Sequence, residues 1–241
     1  MRVRRLSGTR KPGSGSFNDA NLRVGQQDGC SVAPAAPAMI RATAPASVVL
    51  SFALLFVAGS CATNQPGQDV RASEASDSSK RMPDGKRWTT TNLNVDLVES
   101  YCYEDAEPNC RRYGRLYSWQ SARRGCQALG DGWRLPTNCD WFQLAQRFGG
   151  IRDESAEAGR AAYVALSPGG SSGFNALLGG GRAPDGHEYS RLEAHGFYWT
   201  ASETGSTTAW FYNFGKGQSS LGRHEDGEKQ RAFSVRCVRD T

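Results

Sequence analysis

The chain has 241 residues and a formal net charge of +5, which allows one or two domains and raises the question of nucleic-acid binding. The charge is unevenly placed: residues 1–81 hold 10 Lys and Arg against 5 Asp and Glu, whereas residues 82–241 hold 19 of each. A nucleic-acid-binding domain needs a basic surface to displace counterions, so the neutral second part argues against nucleic acid as a partner.

Aromatic residues locate the folded unit. All 6 tryptophans lie between Trp88 and Trp210, whereas residues 1–81 contain no tryptophan and only three phenylalanines. The remaining residues, about 155, are enough to bury most of their apolar surface in one core. The composition therefore predicts a single domain over residues 85–241.

Residues 39–61 read MIRATAPASVVLSFALLFVAGSC and are typical of a secretory signal peptide. The apolar run from Ala46 to Gly59 is shorter than the ~20 residues that a membrane-spanning helix needs. The ending VAGSC resembles the lipobox of bacterial lipoproteins, whose cysteine, here Cys61, is diacylated and becomes the new N-terminus. Ala58 stands where lipoboxes usually carry Leu or another aliphatic residue, so ordinary secretory cleavage is the alternative.

Two further segments lack core material. Residues 1–38 are rich in Arg, Gly, Ser and Pro and show no periodicity, and a signal sequence should begin the chain. Our hypothesis is that translation starts at Met39 and that residues 1–38 are a disordered, over-extended gene start. Residues 62–84 are polar and Ser-rich, which predicts a flexible linker.

The folded unit opens with β-forming residues in the segment KRWTTTNLNVDLV. The expected core contacts of its one or two short strands are Trp88, Leu93, Val95 and Leu97. Cys102 and Cys110 then enclose a short acidic loop. Such a pair in an exported protein is typical of a local disulfide.

Residues 113–150 predict two helices joined by a tight turn. The apolar residues of the first helix recur three and four apart, which places them on one face: Trp119, Ala122, Cys126 and Leu129. In the second helix Thr137 is expected to cap the N-terminus, and Asp140 favours the positive helix end. The apolar stripe of that helix contains Trp141, Leu144, Ala145 and Phe148.

The last part of the chain is glycine-rich and contains short apolar pieces typical of strands, which read GFNALLGGGR, HGFYWTASE, AWFYNF and AFSVRCVRD. Gly215-Lys216-Gly217 predicts a hairpin turn. The final piece has the alternating period of a half-buried strand, in which Phe233, Val235 and Cys237 alternate with Ser234 and Arg236. Strands, two helices, loops and then strands give an α+β layout.

The sequence YGRLYSWQSARRGCQALGDGWRLPT, followed by GFNALLGGGR, GFYWTASE and FSVRCVRD, resembles the Fibrobacter succinogenes major paralogous domain family. The resemblance covers about Asp84 to Asp240. Members occur in surface and secreted proteins, frequently with a lipoprotein signal, and the family is placed near C-type-lectin-like folds. The resemblance therefore implies a disulfide-stabilised C-type-lectin-like domain with two helices packed on short antiparallel strands.

The resemblance also bears on the cysteines. In lectin-like domains a cysteine of the first helix bonds to one in the last strand, which implies a Cys126–Cys237 bond. Cys237 is the only cysteine near the C-terminus. The small loop seen in many members implies Cys102–Cys110. Cys139 departs from the family pattern and leaves an odd thiol in the exported portion. It is either buried and inert or a competitor for Cys126.

Several polar groups were considered as sites. Glu107-Pro108-Asn109 matches the calcium- and sugar-binding tripeptide of lectins, but it lies before the first helix, so we expect no metal there. The histidines are expected to be loop residues rather than ligands: His187, His195 and His224. The late carboxylates are either solvated turn residues or groups that bind calcium or flank a sugar: Asp185, Glu188, Glu203, Glu225 and Asp226.

Aromatic residues of the late strands are the remaining candidates, because neighbours in a strand point to opposite faces and cannot all enter one core. Some are expected to form a stacking platform for a sugar or peptide, unless both sheet faces are covered. The ligand-binding candidates from all these groups are Trp199, Trp210, Tyr212, Asp185 and Glu203.

The sequence thus predicts a cell-envelope protein that is lipid-anchored through Cys61 to the outer membrane or cell surface, with a secreted or periplasmic protein as the alternative. We expect non-catalytic binding of a polysaccharide, glycan or surface protein, without a cofactor; calcium is the one metal considered. The competing hypotheses are an enzyme with an unrecognised site in the late loops and a structural envelope component.

Overall fold

The computed structural model describes Cys30 and residues 78–241, and every helix and strand given below lies in the latter range. The strands are β1 (Ser79–Arg81), β2 (Arg87–Thr89), β3 (Ser100–Tyr101), β4 (Leu116–Tyr117), β5 (Gly179–Arg182), β6 (Tyr189–Leu192), β7 (His195–Glu203), β8 (Thr208–Gly215), β9 (Ser220–Glu228) and β10 (Val238–Arg239). The α-helices are α1 (Glu107–Tyr113), α2 (Trp119–Gln127), α3 (Asn138–Gln146) and α4 (Ala156–Leu166). A 3-10 turn spans Tyr103–Asp105. The predicted α+β class is confirmed.

The strands form three sheets. The main sheet has five strands in the order β6-β5-β7-β8-β9, and its neighbours are antiparallel except β5 and β7, which pair in parallel at Gly180 and Gly196. A three-stranded sheet, β1-β2-β10, joins the two ends of the described domain, and β3 pairs with β4. The turn between β8 and β9 lies where the sequence predicted it.

The predicted buried face of the first central helix is confirmed in α2. Its apolar residues Trp119, Ala122 and Cys126 are at most 1% exposed, and Leu129, two residues after the helix ends, is 7% exposed. The helix begins where the Ser118 hydroxyl accepts a hydrogen bond from the Ser121 N–H, which satisfies one of the free donors of the first turn.

Helix α3 begins with the cap that the sequence predicted. The Thr137 hydroxyl accepts a hydrogen bond from the Asp140 N–H, and the Asp140 carboxylate accepts one from the Thr137 N–H at 2.8 Å. Burial alone would raise the pKa of Asp140, but hydrogen bonds from Arg134 and Thr137 lower it to about 2. Asp140 is therefore ionised over the whole physiological range.

Two apolar clusters cover the two faces of the main sheet. On one face α3 and α4 pack against the strands, and Trp141 of α3 stacks on Tyr212 with ring centroids 5.4 Å apart. On the other face α2 packs over part of the sheet, and Trp199 lies 4.5 Å from Phe233. Successive rings along β7 therefore enter different clusters, as their alternation requires.

The segment before β10 is not the half-buried strand that its alternation predicted. Ser234 and Arg236 are both 0% exposed. The Arg236 guanidinium donates to Asn92 Oδ1 at 2.8 Å and to the carbonyls of Thr89 and Phe174 at 2.9 and 2.7 Å. Burial lowers the pKa of Arg236. This arginine crosslinks the two ends of the domain, which alternation alone could not show.

The described residues contain three disulfides. The two expected ones, Cys102–Cys110 and Cys126–Cys237, have Cα atoms 4.9 and 5.5 Å apart. The third, Cys30–Cys139, was not expected, because we counted only cysteines from Cys61 onward as part of the exported chain. Cys139 is thus neither an inert thiol nor a competitor for Cys126 in this structure. This bond and a translation start at Met39 cannot both hold, since Cys30 precedes Met39.

Two predicted boundaries also change. β1 lies inside the predicted linker 62–84, because its polar residues form an edge strand held by backbone pairing with β2. β9 contains Glu225 and Asp226, which we had assigned to late loops; its sequence, SLGRHEDGE, has too few apolar residues to be recognised as a strand. The predicted signal sequence, Cys61 and residues 1–29 lie outside the described residues. No helix in the described part of the chain is long and apolar enough to cross a membrane.

Candidate ligand-binding face of the main sheet

One face of the main sheet is only partly covered. Because side chains alternate along a strand, residues on the side opposite Tyr198 and Tyr212 share this face. There β7 contributes His195 and Phe197, while β8 contributes Phe211, which pairs directly with His224 of β9. Three strands thus bring these rings together.

We call these four side chains, His195, Phe197, Phe211 and His224, the ring row. The imidazole of His195 stacks on Phe197 at 5.5 Å, and that of His224 stacks on Phe211 at 4.9 Å. The two phenylalanines meet edge to face at 6.0 Å, a preferred aromatic geometry. Phe211 is 9% exposed and the other three are half-buried. The ring row is therefore a continuous strip of aromatic rings that solvent still reaches.

A cleft of about 510 Å³, here called the arginine cleft, opens on one side of the ring row. Phe197, Phe211 and Phe233 contribute aromatic surface to it. Its charged lining residues are Arg182, Arg191, Arg231, Asp226 and Glu228. Gly227 lets β9 pack closely against the rings beneath it, because a Cβ atom there would lie 2.6 Å from Trp199 and 2.8 Å from Phe211.

A smaller pocket of about 240 Å³ lies at the histidines of the ring row. His195 Nδ1 and Asn213 Oδ1 are 3.0 Å apart, and Arg152 donates to Gln218 Oε1 at 2.7 Å. The Ser220 hydroxyl, also in the lining, is buried and has no hydrogen-bond partner among the described residues. The ring row therefore has groups that can hydrogen-bond a ligand on both sides.

His224 has a neutral ring at pH 7. Burial lowers its pKa from the ordinary value of 6.5, and Arg152 and His195 act in the same direction. Asp226 and Asp153 oppose this effect but do not overcome it. A neutral imidazole can donate one hydrogen bond and accept another while its face remains stacked on Phe211.

The sequence comparison decides the family. A sequence model of the Fibrobacter succinogenes major domain matches residues 78–239, about two thirds of the chain. The protein belongs to the Fibrobacter succinogenes major domain family. Comparisons with the curated proteins and with the solved structures gave no match.

Two of the aromatic residues proposed from the sequence are not available to a ligand. Trp199 and Tyr212 are 0% exposed. The Trp199 indole donates to the Tyr117 carbonyl at 2.9 Å, and the Tyr212 hydroxyl donates to Asn138. Trp210 is half-buried on the helix side, where the Arg223 guanidinium lies 4.7 Å from it. In this Fibrobacter succinogenes major domain the rings of Trp199 and Tyr212 are therefore covered, whereas the ring row remains open on its face of the sheet.

The proposed carboxylates Asp185 and Glu203 have other partners in the structure. Asp185 lies in the β5–β6 turn and accepts a hydrogen bond from the His187 N–H, whereas Glu203 ends β7 and binds Lys229. Neither belongs to a group of three metal-binding side chains among the described residues. The one such group contains Cys102, Glu107 and Cys110, whose sulfurs are joined to each other.

Sequence reasoning missed the histidines and arginines of this face. The alternation of HGFYWTASE does place His195 and Phe197 on one side of a strand, so a signal for half of the ring row was present. His224 had no such signal, because its strand was not recognised. The three arginines lie on separate segments that only the fold brings together.

Proposed function

We propose that this protein binds a saccharide on the ring row without chemical turnover. The observation that carries the proposal is a strip of four rings on a partly open sheet face, with polar clefts on both sides. Aromatic faces complement the apolar C–H faces of sugar rings, while nearby polar groups fix the orientation through hydroxyl hydrogen bonds. No cofactor or metal is part of this proposal.

The proposed location is the cell envelope, with a lipid anchor on Cys61 that holds the domain at the outer membrane or cell surface. It rests on the signal-like segment 39–61 and its lipobox-like ending. Processing at Cys61 removes Cys30, so an anchored chain cannot contain the Cys30–Cys139 bond. A secreted or periplasmic protein is the alternative.

We also propose that the domain has a C-type-lectin-like fold. The support is the Cys126–Cys237 bond, which ties the α2 helix to the segment just before β10, together with two central helices packed on a largely antiparallel sheet. An experimental structure compared with lectin-like domains tests this assignment.

A polysaccharide and glycan array tests the function. The full chain, purified in mild detergent and kept oxidised, is applied with calcium and again with a chelator. Specific binding that the free saccharide competes away, unchanged by the chelator, is the expected result. Absence of binding by folded protein, or co-purification of a stoichiometric surface protein instead, would contradict a saccharide ligand.

Glycoside hydrolysis is the second candidate, because Asp226 and Glu228 both line the arginine cleft and lie two residues apart on β9. Glycosidases use a pair of carboxylates. Glu228, however, is held by Arg231 at 3.0 Å, which favours binding. The protein would be a hydrolase instead if it released reducing ends from a polysaccharide and if Asp226→Asn abolished this release.

A further inference from the structure

We infer that the arginine cleft selects anionic saccharides, so that the ligand is an acidic rather than a neutral polysaccharide. This inference rests on the proposed function and names its ligand class. Three neighbouring backbone segments supply the arginines: Arg182 ends β5, Arg191 lies on the paired strand β6, and Arg231 precedes Ala232, which bridges to Arg182. Their common position is therefore set by the pairing of the main sheet.

Two of these guanidinium groups have no carboxylate partner. Arg231 pairs with Glu228, but no ion pair among the described residues includes Arg182 or Arg191. The Arg182 Nε–H is buried and has no acceptor among the described residues. A buried donor without an acceptor carries a desolvation cost.

Arg182 is also held in place before any ligand arrives. Its guanidinium lies 3.9 Å from the ring of Tyr101 and 5.7 Å from that of Tyr189. Gly186 lets the β5–β6 turn lie against it, because a Cβ atom there would be 2.5 Å from Nη2. A planar fork that is already oriented suits the paired oxygens of a carboxylate or a sulfate group.

Arg191 adopts a left-handed backbone conformation with φ of 68°. Such a conformation is strained for a residue with a side chain and often marks a functional position. Asp226, exposed on the same cleft, offers an acceptor for sugar hydroxyls. The cleft thus offers guanidinium groups for an anion, a carboxylate acceptor for hydroxyls and aromatic rings for an apolar sugar face. This set matches a saccharide that carries both an acidic group and hydroxyls.

The test compares three immobilised ligands: a polyuronate, a sulfated polysaccharide and a neutral polysaccharide of similar chain length. The full chain is expected to bind at least one acidic ligand at least tenfold more tightly than the neutral one, with affinity that falls as salt rises. The two acidic ligands show whether carboxylate or sulfate is preferred. Equal affinity for all three would overturn the inference while leaving saccharide binding in place, whereas no binding to any would contradict the proposed function itself.

Matched variants locate the effect. Arg191→Gln and Arg231→Gln are each expected to weaken acidic-ligand binding about tenfold, equivalent to about 1.4 kcal/mol, with neutral-ligand binding unchanged. Arg182→Lys keeps the charge but loses the fork, and is expected to weaken binding in the same way. Arg160→Gln, on the exposed surface of α4, removes one charge away from the cleft and should leave affinity unchanged. Wild-type affinity in all three cleft variants would overturn the inference.

Discussion

The imidazole of His224 lies 4.9 Å from the ring of Phe211, with the two planes only 15° apart. The residues are direct partners across β8 and β9, so strand register builds this stack. Together with His195 on Phe197 it turns three adjacent strands into one aromatic surface. The stability of the His224–Phe211 stack should therefore depend on the protonation state of His224.

Acid should destabilise the protein through His224. Its pKa is lowered in the folded state, so the unfolded chain takes up a proton first as the pH falls below about 6.5. The free energy of unfolding should then decrease, down to the folded-state pKa. His224→Phe keeps a stacked ring but cannot titrate, and denaturant unfolding between pH 7.5 and 5 should show a shallower decrease. His187→Phe, in an exposed turn, is the control and should show the same pH dependence of unfolding free energy as wild type. The same pH dependence for His224→Phe and wild type would contradict the role given to His224.

Asp140→Asn should weaken the start of α3. The variant loses the charge-assisted hydrogen bond from Arg134 at 2.5 Å and half of the capping box, so the free energy of unfolding at pH 7 should fall by about 1–3 kcal/mol. The pKa is about 2 in the fold against 3.8 unfolded, so this stabilisation is complete above pH 3.8 and disappears as the pH falls toward 2. Asp131→Asn, in the exposed turn before α3, is the control. A variant as stable as wild type at pH 7 would contradict the role of Asp140.

Arg236→Ala should cost more stability than other single arginine changes. It leaves the carbonyls of Thr89 and Phe174 without the guanidinium donor and removes one of the two donors to Asn92 Oδ1, which predicts a loss of about 3 kcal/mol or more. Arg236→Lys retains the charge but not all the hydrogen bonds. Its stability should lie between that of wild type and that of Arg236→Ala. Chemical denaturation measures both, with Arg160→Ala as the exposed control. A loss below 1 kcal/mol for Arg236→Ala would show that water replaces the guanidinium.

Mass spectrometry of the exported protein decides between lipid anchoring and the Cys30–Cys139 bond. We expect a diacylated Cys61 at the N-terminus and no peptide that precedes it. A peptide pair linked through Cys30 and Cys139, recovered without reduction, would instead show that the N-terminal segment is retained. It would contradict both processing at Cys61 and a start at Met39.

Helix α1 begins inside the segment that the sequence predicted as the loop between Cys102 and Cys110. The two central helices, α2 and α3, could be predicted because their signals are local: spacing of three and four places Trp119 and Cys126 on one face, and a cap needs only Thr137 and Asp140. The ring row and the arginine cleft could not, because they depend on the register of strands far apart in sequence. A polar strand such as β9 carries no apolar alternation. Burial of Arg236 has no sequence signal either, since an arginine between apolar residues looks the same whether it faces water or backbone carbonyls.

The most direct test of the central claim compares two substitutions of aromatic rings by leucine. Phe197→Leu removes a ring from the ring row while keeping an apolar side chain, and Trp210→Leu removes a half-buried ring from the helix side of the neighbouring strand. With the best saccharide from the array, calorimetric titration of the folded variants should show at least tenfold weaker binding for Phe197→Leu and unchanged binding for Trp210→Leu. Wild-type affinity for Phe197→Leu, or an equal loss in both variants, would contradict binding on the ring row.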